Sequence, residues 1–148
     1  MLEIDLKQLE RYITDGIDSR KSISVREIIE VSKILLDRLN SGGKLITFGN
    51  GGSAADAQHF AAELSGRFMR QRRPFPAIAL STNTSSLTAI GNDYVVGIST
   101  SGNSPNVING VREAKEIGAY TLALTGMDGG KLRNDVDHCI RVKSNITQ

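Results

Sequence analysis

The chain has 148 residues, 39 % of them hydrophobic and 23 % charged, with a formal net charge of +2. That length allows one domain with a core of its own, and so small a charge gives no reason to expect a nucleic-acid or membrane-surface partner. No apolar run approaches the roughly 20 residues needed to cross a bilayer, MLEIDLKQLERY at the N-terminus lacks the apolar stretch of a secretory signal, and one cysteine, Cys139, excludes an internal disulfide or a CxxC metal pair. A cytoplasmic enzyme or binding domain is expected.

Leu2, Leu6, Leu9, Tyr12, Ile13 and Ile17 make a helical stripe, which predicts a first helix from Leu2 to about Ile17. A second helix is predicted from Ser24, with Glu27 placed for a capping box and Ser41-Gly42-Gly43 as its stop. After Gly43 short apolar runs alternate with glycine-rich loops and helices. The runs are Leu45–Phe48, Ala77–Leu80, Val95–Ser99, Tyr120–Leu124 and Cys139–Val142. Runs so short and continuously apolar predict an α/β fold, a doubly wound five-stranded parallel sheet of flavodoxin-like type covered on both faces, behind two N-terminal helices. One domain is expected, with 1–41 as helices and 44–142 as the sheet and its covering helices. In such a sheet ligands bind beyond the carboxyl ends of the strands. GNGGS, STNTSS, STSGNS and TGMDGG each follow a predicted strand and fall at that edge.

Lys44–Leu64, KLITFGNGGSAADAQHFAAEL, reads as strand, glycine-rich turn and helix starting at a serine. Free N–H groups at such a helix start suit a phosphate. STSGNS offers four hydroxyls, with Ser104 as N-cap and Pro105 at the first helical position. Taken alone it could be a capped turn without a ligand; paired with GNGGS at the same edge, it favours phosphate. Asp56, His59 and Glu63 share one helix face. The alanines around them predict a slender helix in which the polar groups are partly buried and a carboxylate is suited to proton transfer. His59 and Glu63 could supply two ligands to a metal, too few for a closed site. The Arg67, Arg70, Arg72, Arg73 cluster is expected to be a solvated face or a subunit contact, Cys139 a small hydrophobe in its strand, and Asp128 a turn residue.

At GNGGSAADAQHFAAELSGRF, and again through LSTNTSSLTAIGNDY and GISTSGNSPNVINGVREAKEIGAYTLALTGMDGGKL, the chain resembles the phosphoheptose isomerase branch of the sugar isomerase (SIS) domain superfamily. The resemblance implies conversion of sedoheptulose 7-phosphate to the heptose 7-phosphate aldose, D-glycero-D-manno-heptose 7-phosphate, for lipopolysaccharide and surface sugars. It implies substrate contacts at Asn50, Gly51, Gly52 and Ser53, at Asn92 and Asp93 on the sugar side, and at Ser99, Thr100, Ser101 and Ser104 around the phosphate. It makes Glu63 the catalytic carboxylate and a substrate contact, and His59 with Glu63 a zinc pair, one ion per subunit. It also implies a homotetramer with the N-terminal helices packed between subunits.

The chain departs from that pattern twice. Family members carry a further loop and helix between GNDY and GISTSGNS, where here Tyr94 runs into Val95. Ser81–Tyr94 just meets the dozen or so residues that a parallel crossover needs. The family also ends in a helix with a glutamine and a second catalytic residue, a histidine, to which Gln148 cannot be matched. A doubly wound sheet without its last covering helix is expected to bare an apolar face. The intact protein is therefore expected to carry both segments and to weigh more than 16.0 kDa. The rival reading is a non-enzymatic SIS-domain protein that binds the bacterial replication initiator; Glu63, absent from that branch, favours the enzyme. A phosphosugar-sensing regulator is a third, without a DNA-binding segment to support it.

Overall fold

The computed structural model describes residues 6–66, 68–80 and 92–143. Helix α1 (Leu6–Lys21) runs one turn beyond its predicted end, and α2 (Val25–Asn40) follows after a short turn. The N-cap half of the capping box forms: the Ser24 side chain accepts the Glu27 N–H at 3.2 Å. At the other end of α2, the Ser41 N–H closes onto the Asp37 carbonyl.

Five parallel strands follow, β1 (Leu45–Gly49), β2 (Ala77–Ala79), β3 (Tyr94–Ser99), β4 (Tyr120–Gly126) and β5 (His138–Val142), in the order β2-β1-β3-β4-β5. They match the five predicted runs to within two residues at either end. Helix α3 (Gly52–Gly66) joins β1 to β2, and α4 (Pro105–Glu116) joins β3 to β4. The connection from β2 to β3, with its STNTSS loop, lies largely outside the described residues. Among the described residues no helix is long and apolar enough to cross a membrane.

Alternation along the strands sends successive side chains to opposite faces. Ile46, Phe48, Val95 and Ala123 pack with Val107, Ile108, Val111 and Ala114 of α4. Leu45, Tyr94, Val96, Leu122 and Ile140 pack instead with Val31, Ile34 and Leu35 of α2 and with Phe60 and Leu64 of α3. Both faces are covered, which is why the strands read as unbroken apolar runs. The expected bare face is not found: α2 lies over it, and Leu122 and Ile140 are buried. Under α2 the Tyr94 hydroxyl donates to the Val31 carbonyl at 3.3 Å. Beyond β5, the Lys143 N–H donates to Ser22 Oγ at 3.0 Å and Ser19 Oγ donates to the Lys143 carbonyl at 3.2 Å. These bonds fasten the α1–α2 turn to the end of the last strand.

Candidate active site

Strands β1 and β3 are neighbours, but α3 leaves β1 on one face of the sheet and α4 leaves β3 on the other. Adjacent loops that part in this way open a crevice at the carboxyl edge, the usual ligand position in this topology. The register pairs Gly49 with Ile98, so the two loops leave the sheet at one level. A Cβ on Gly49 would stand 2.7 Å from Ser53 Cβ and 2.9 Å from the Ile98 carbonyl oxygen, so only glycine lets the chain turn there.

Asn50, Ser53, Ile98, Ser99, Thr100, Ser101 and Ser104 line one open cleft of about 210 Å³. Six of them are predicted site residues, and Gly51 and Gly52 form the turn leading into α3 beside them. The lining holds hydroxyls, an amide and the starts of two helices, with no cation among the described residues. Ser104 occupies the N-cap of α4 as expected, yet its side chain makes no capping bond. It meets Ser99 Oγ at 3.0 Å instead. The first N–H groups of α4 have no partner within the helix, and their dipole favours an anion. Two hydroxyls and two helix starts therefore converge on a space suited to a phosphate dianion.

The loop after β4 braces the back of this cleft. The Gly126 N–H donates to the Thr100 carbonyl and the Leu132 N–H to the Gly102 carbonyl, both at 2.9 Å. The Lys131 N–H donates to Asn103 Oδ1 at 3.2 Å, while Asn103 Nδ2 holds the Ser101 carbonyl at 2.9 Å. Gly102 has φ +64°, and a Cβ there would collide with the Gly129 backbone. Asp128 is the expected turn residue, accepting the Gly130 N–H at 3.0 Å.

Three expectations need correction. Asn92 and Asp93 do not join the other expected contacts in this cleft. They precede β3 and so sit at the amino edge, across the sheet from the cleft. Asp93 is 2 % exposed, accepts the Lys44 N–H at 3.1 Å and pairs with Lys44 Nζ at 2.7 Å. Asn92 bridges Arg38 Nη1 at 3.1 Å and the Ser41 carbonyl at 2.9 Å, tying the end of α2 to the start of β3. The second correction concerns α3. Ala57 and Ala61 are buried, but Ala55 and Ala62 are exposed, as is Asp56, and His59 is 78 % exposed. Glu63 alone of the three is partly covered, at 29 %. The third is the arginine cluster: Arg70 and Arg73 are exposed as expected, but Arg72 is only partly solvated. Its guanidinium donates to the Leu64 and Glu63 carbonyls at 2.8 and 3.2 Å and lies 4.7 Å from the centre of the Phe75 ring, capping the last turn of α3. Sequence reasoning missed this cap; the Phe after Arg-Arg-Pro was its one local signal.

His59 Nε2 stands 3.4 Å from Glu63 Oε1. An imidazole nitrogen and a carboxylate oxygen are donors that zinc takes. Among the described residues, however, no group of three His, Cys, Asp or Glu converges. The pair is at most half of a closed zinc site. From Ser53 to Glu63 the helix climbs about 15 Å, so the carboxylate stands well down α3 from the phosphate end.

Residues 11–97 match the SIS domain family. A probable phosphoheptose isomerase of Thermoplasma acidophilum is 48 % identical, with 93 % of this chain and 86 % of the relative aligned. That alignment runs over 157 positions, more than the whole chain has, so the relative carries residues that this chain lacks. Among solved structures, phosphoheptose isomerase GmhA of Neisseria gonorrhoeae superposes with a TM-score of 0.79 at 37 % identity, over 95 % of this chain and 85 % of that one. A phosphoheptose isomerase from Francisella tularensis gives 0.80 at 31 %, over 97 % and 88 %. The chain belongs to the SIS-domain family, in its phosphoheptose isomerase branch.

Proposed function

We propose that the protein is an aldose–ketose isomerase that converts sedoheptulose 7-phosphate to D-glycero-D-manno-heptose 7-phosphate, for surface-sugar synthesis. The observation that carries this is the hydroxyl-lined cleft at the β1/β3 crevice, in a chain so similar to named phosphoheptose isomerases. The phosphate is held by Ser53, Ser99, Thr100, Ser101 and Ser104 with the two helix starts, and the open-chain sugar extends away from it. Isomerisation moves a carbon-bound proton from C1 to C2 and a hydroxyl proton from O1 to O2, through an enediol. Glu63 is the base for the carbon-bound proton. A positioned carboxylate contributes about 100- to 10,000-fold, and the rest of the acceleration comes from orienting the bound chain.

Glu63→Gln tests this reading. Isomerisation of sedoheptulose 7-phosphate, followed by NMR, should fall by at least about 100-fold, while phosphate still binds. Near-normal turnover in the variant would remove Glu63 from the mechanism. A wild-type protein that turns over no heptulose phosphate but captures the replication initiator would favour the non-enzymatic alternative.

Two finer points belong to the same proposal. His59 and Glu63 supply two zinc ligands; purified protein that retains no zinc, with full activity in chelator, would reject that. The working form is a homotetramer. Its support is the apolar side of α1 and α2, where Leu6, Ile13 and Val25 are 71, 62 and 69 % exposed. Because Glu63 stands well away from the phosphate end of its own helix, mixing Glu63→Gln with a Ser104 variant also shows whether one site draws on two copies. Activity restored in mixed oligomers would show that it does.

A further inference from the structure

We propose that Asn106 is a positioning residue for phosphate recognition, acting through Asn50. The proposal rests on the cleft being the phosphate site. Asn50 stands on the turn after β1, and Asn106 in the first turn of α4, after β3. Their side chains meet head to head: Asn50 Nδ2 donates to Asn106 Oδ1 at 2.9 Å, and Asn106 Nδ2 donates to Asn50 Oδ1 at 2.8 Å.

Only two carboxamides close such a ring, because each must give and accept one bond at once. A carboxylate cannot donate, and a hydroxyl is too short to do both. The ring spans the crevice between two connections that leave the sheet on opposite faces, beyond the last backbone pairing of β1 with β3 at Gly49 and Ile98. It therefore fixes how far apart the α3 and α4 starts stand. It also fixes the plane of the Asn50 amide. Asn50 lines the cleft, whereas Asn106 does not. Each amide in the ring keeps a second N–H and a second lone pair. With its plane held by Asn106, Asn50 has one N–H left for a ligand oxygen. An unlatched Asn50 would swing into water and would have to be ordered again on binding, which weakens affinity without new contacts being lost.

The test is calorimetric titration with inorganic phosphate, alongside steady-state kinetics on sedoheptulose 7-phosphate. Alanine is the stronger helix former at this position, so Asn106→Ala should fold; Asn106→Leu, closer in size, is the second variant. Both should raise the phosphate Kd by about fivefold, the scale of one exposed hydrogen bond. KM should rise by the same factor with kcat little changed, a split that a loss of general stability would not produce. Asn50→Ala should weaken phosphate at least as much, and the double variant no further than Asn50→Ala alone. Wild-type phosphate affinity in both Asn106 variants would overturn the proposal. So would effects that multiply in the double variant, or a kcat loss at constant KM. Wild-type protein that binds no phosphate overturns this inference and the proposed function together. Phosphate binding with the expected coupling but no isomerisation would overturn only the function.

Discussion

Thr47 is fully buried in the middle of β1, and among the described residues its hydroxyl has no hydrogen-bond partner. A buried, unpaired hydroxyl is destabilising, and valine keeps the shape and the β-branched strand preference. Thr47→Val should therefore stabilise the fold by about 1 kcal/mol, read as a higher urea midpoint at constant m-value; a lower midpoint would mean that the hydroxyl has a partner. Asp137 shows the opposite economy. Burial pushes its carboxyl up, but the Thr121 N–H at 2.9 Å, Lys115 at 3.0 Å and the Thr121 hydroxyl at 2.8 Å outweigh that and hold it below its ordinary value of 3.8. A depressed carboxyl stabilises the fold above the unfolded value, and that contribution is lost as pH falls through the folded one. Asp137→Asn should accordingly cost stability at neutral pH and flatten the decline below about pH 4, measured by thermal melts across pH. An unchanged acid limb would place the linkage elsewhere.

At the scale of elements, the cleft is built less by the residues that line it than by the loop behind them. Gly102→Ala puts a side chain at φ +64° into the Gly129 backbone. The loop after β3 must then move, at a cost of about 1–3 kcal/mol, and phosphate affinity should drop with it. Wild-type phosphate binding in a folded Gly102→Ala protein would show that the brace is dispensable. All five strands were legible in the sequence, because burial on both faces leaves unbroken apolar runs such as Leu45–Phe48. The serine loop was legible because Pro105 marks where its helix begins. Asn92 and Asp93 were misplaced although the information was present. A residue just before a parallel strand cannot share an edge with those just after it, and Val95–Ser99 leads directly into STSGNS. Their assignment came from a resemblance to proteins that carry extra residues before that strand. The Asn50–Asn106 ring and the Arg72 cap were illegible because neither depends on a local pattern; they join residues from different elements, or fold a chain back on its own helix.

Across the whole molecule the two N-terminal helices have different duties. Helix α2 buries Val31 and Leu39 against the body, while α1 exposes most of its apolar stripe and buries only Ser19. Exposed apolar stripes of this kind mark association surfaces. Ile13→Glu should shift the assembly to smaller species in light scattering while leaving the circular dichroism of the fold intact. An unchanged mass would show that α1 is not part of the contact. The pairing of α2 with the last strands has its own effect on how the protein is made. The cover for Leu122 and Ile140 leaves the ribosome before the strands that carry them. Nascent α2 can close over Leu45, Tyr94 and Val96 as those strands emerge, but the part of its greasy side that meets Ile140 stays open until β5 has been translated, and the growing chain is prone to aggregate for that long.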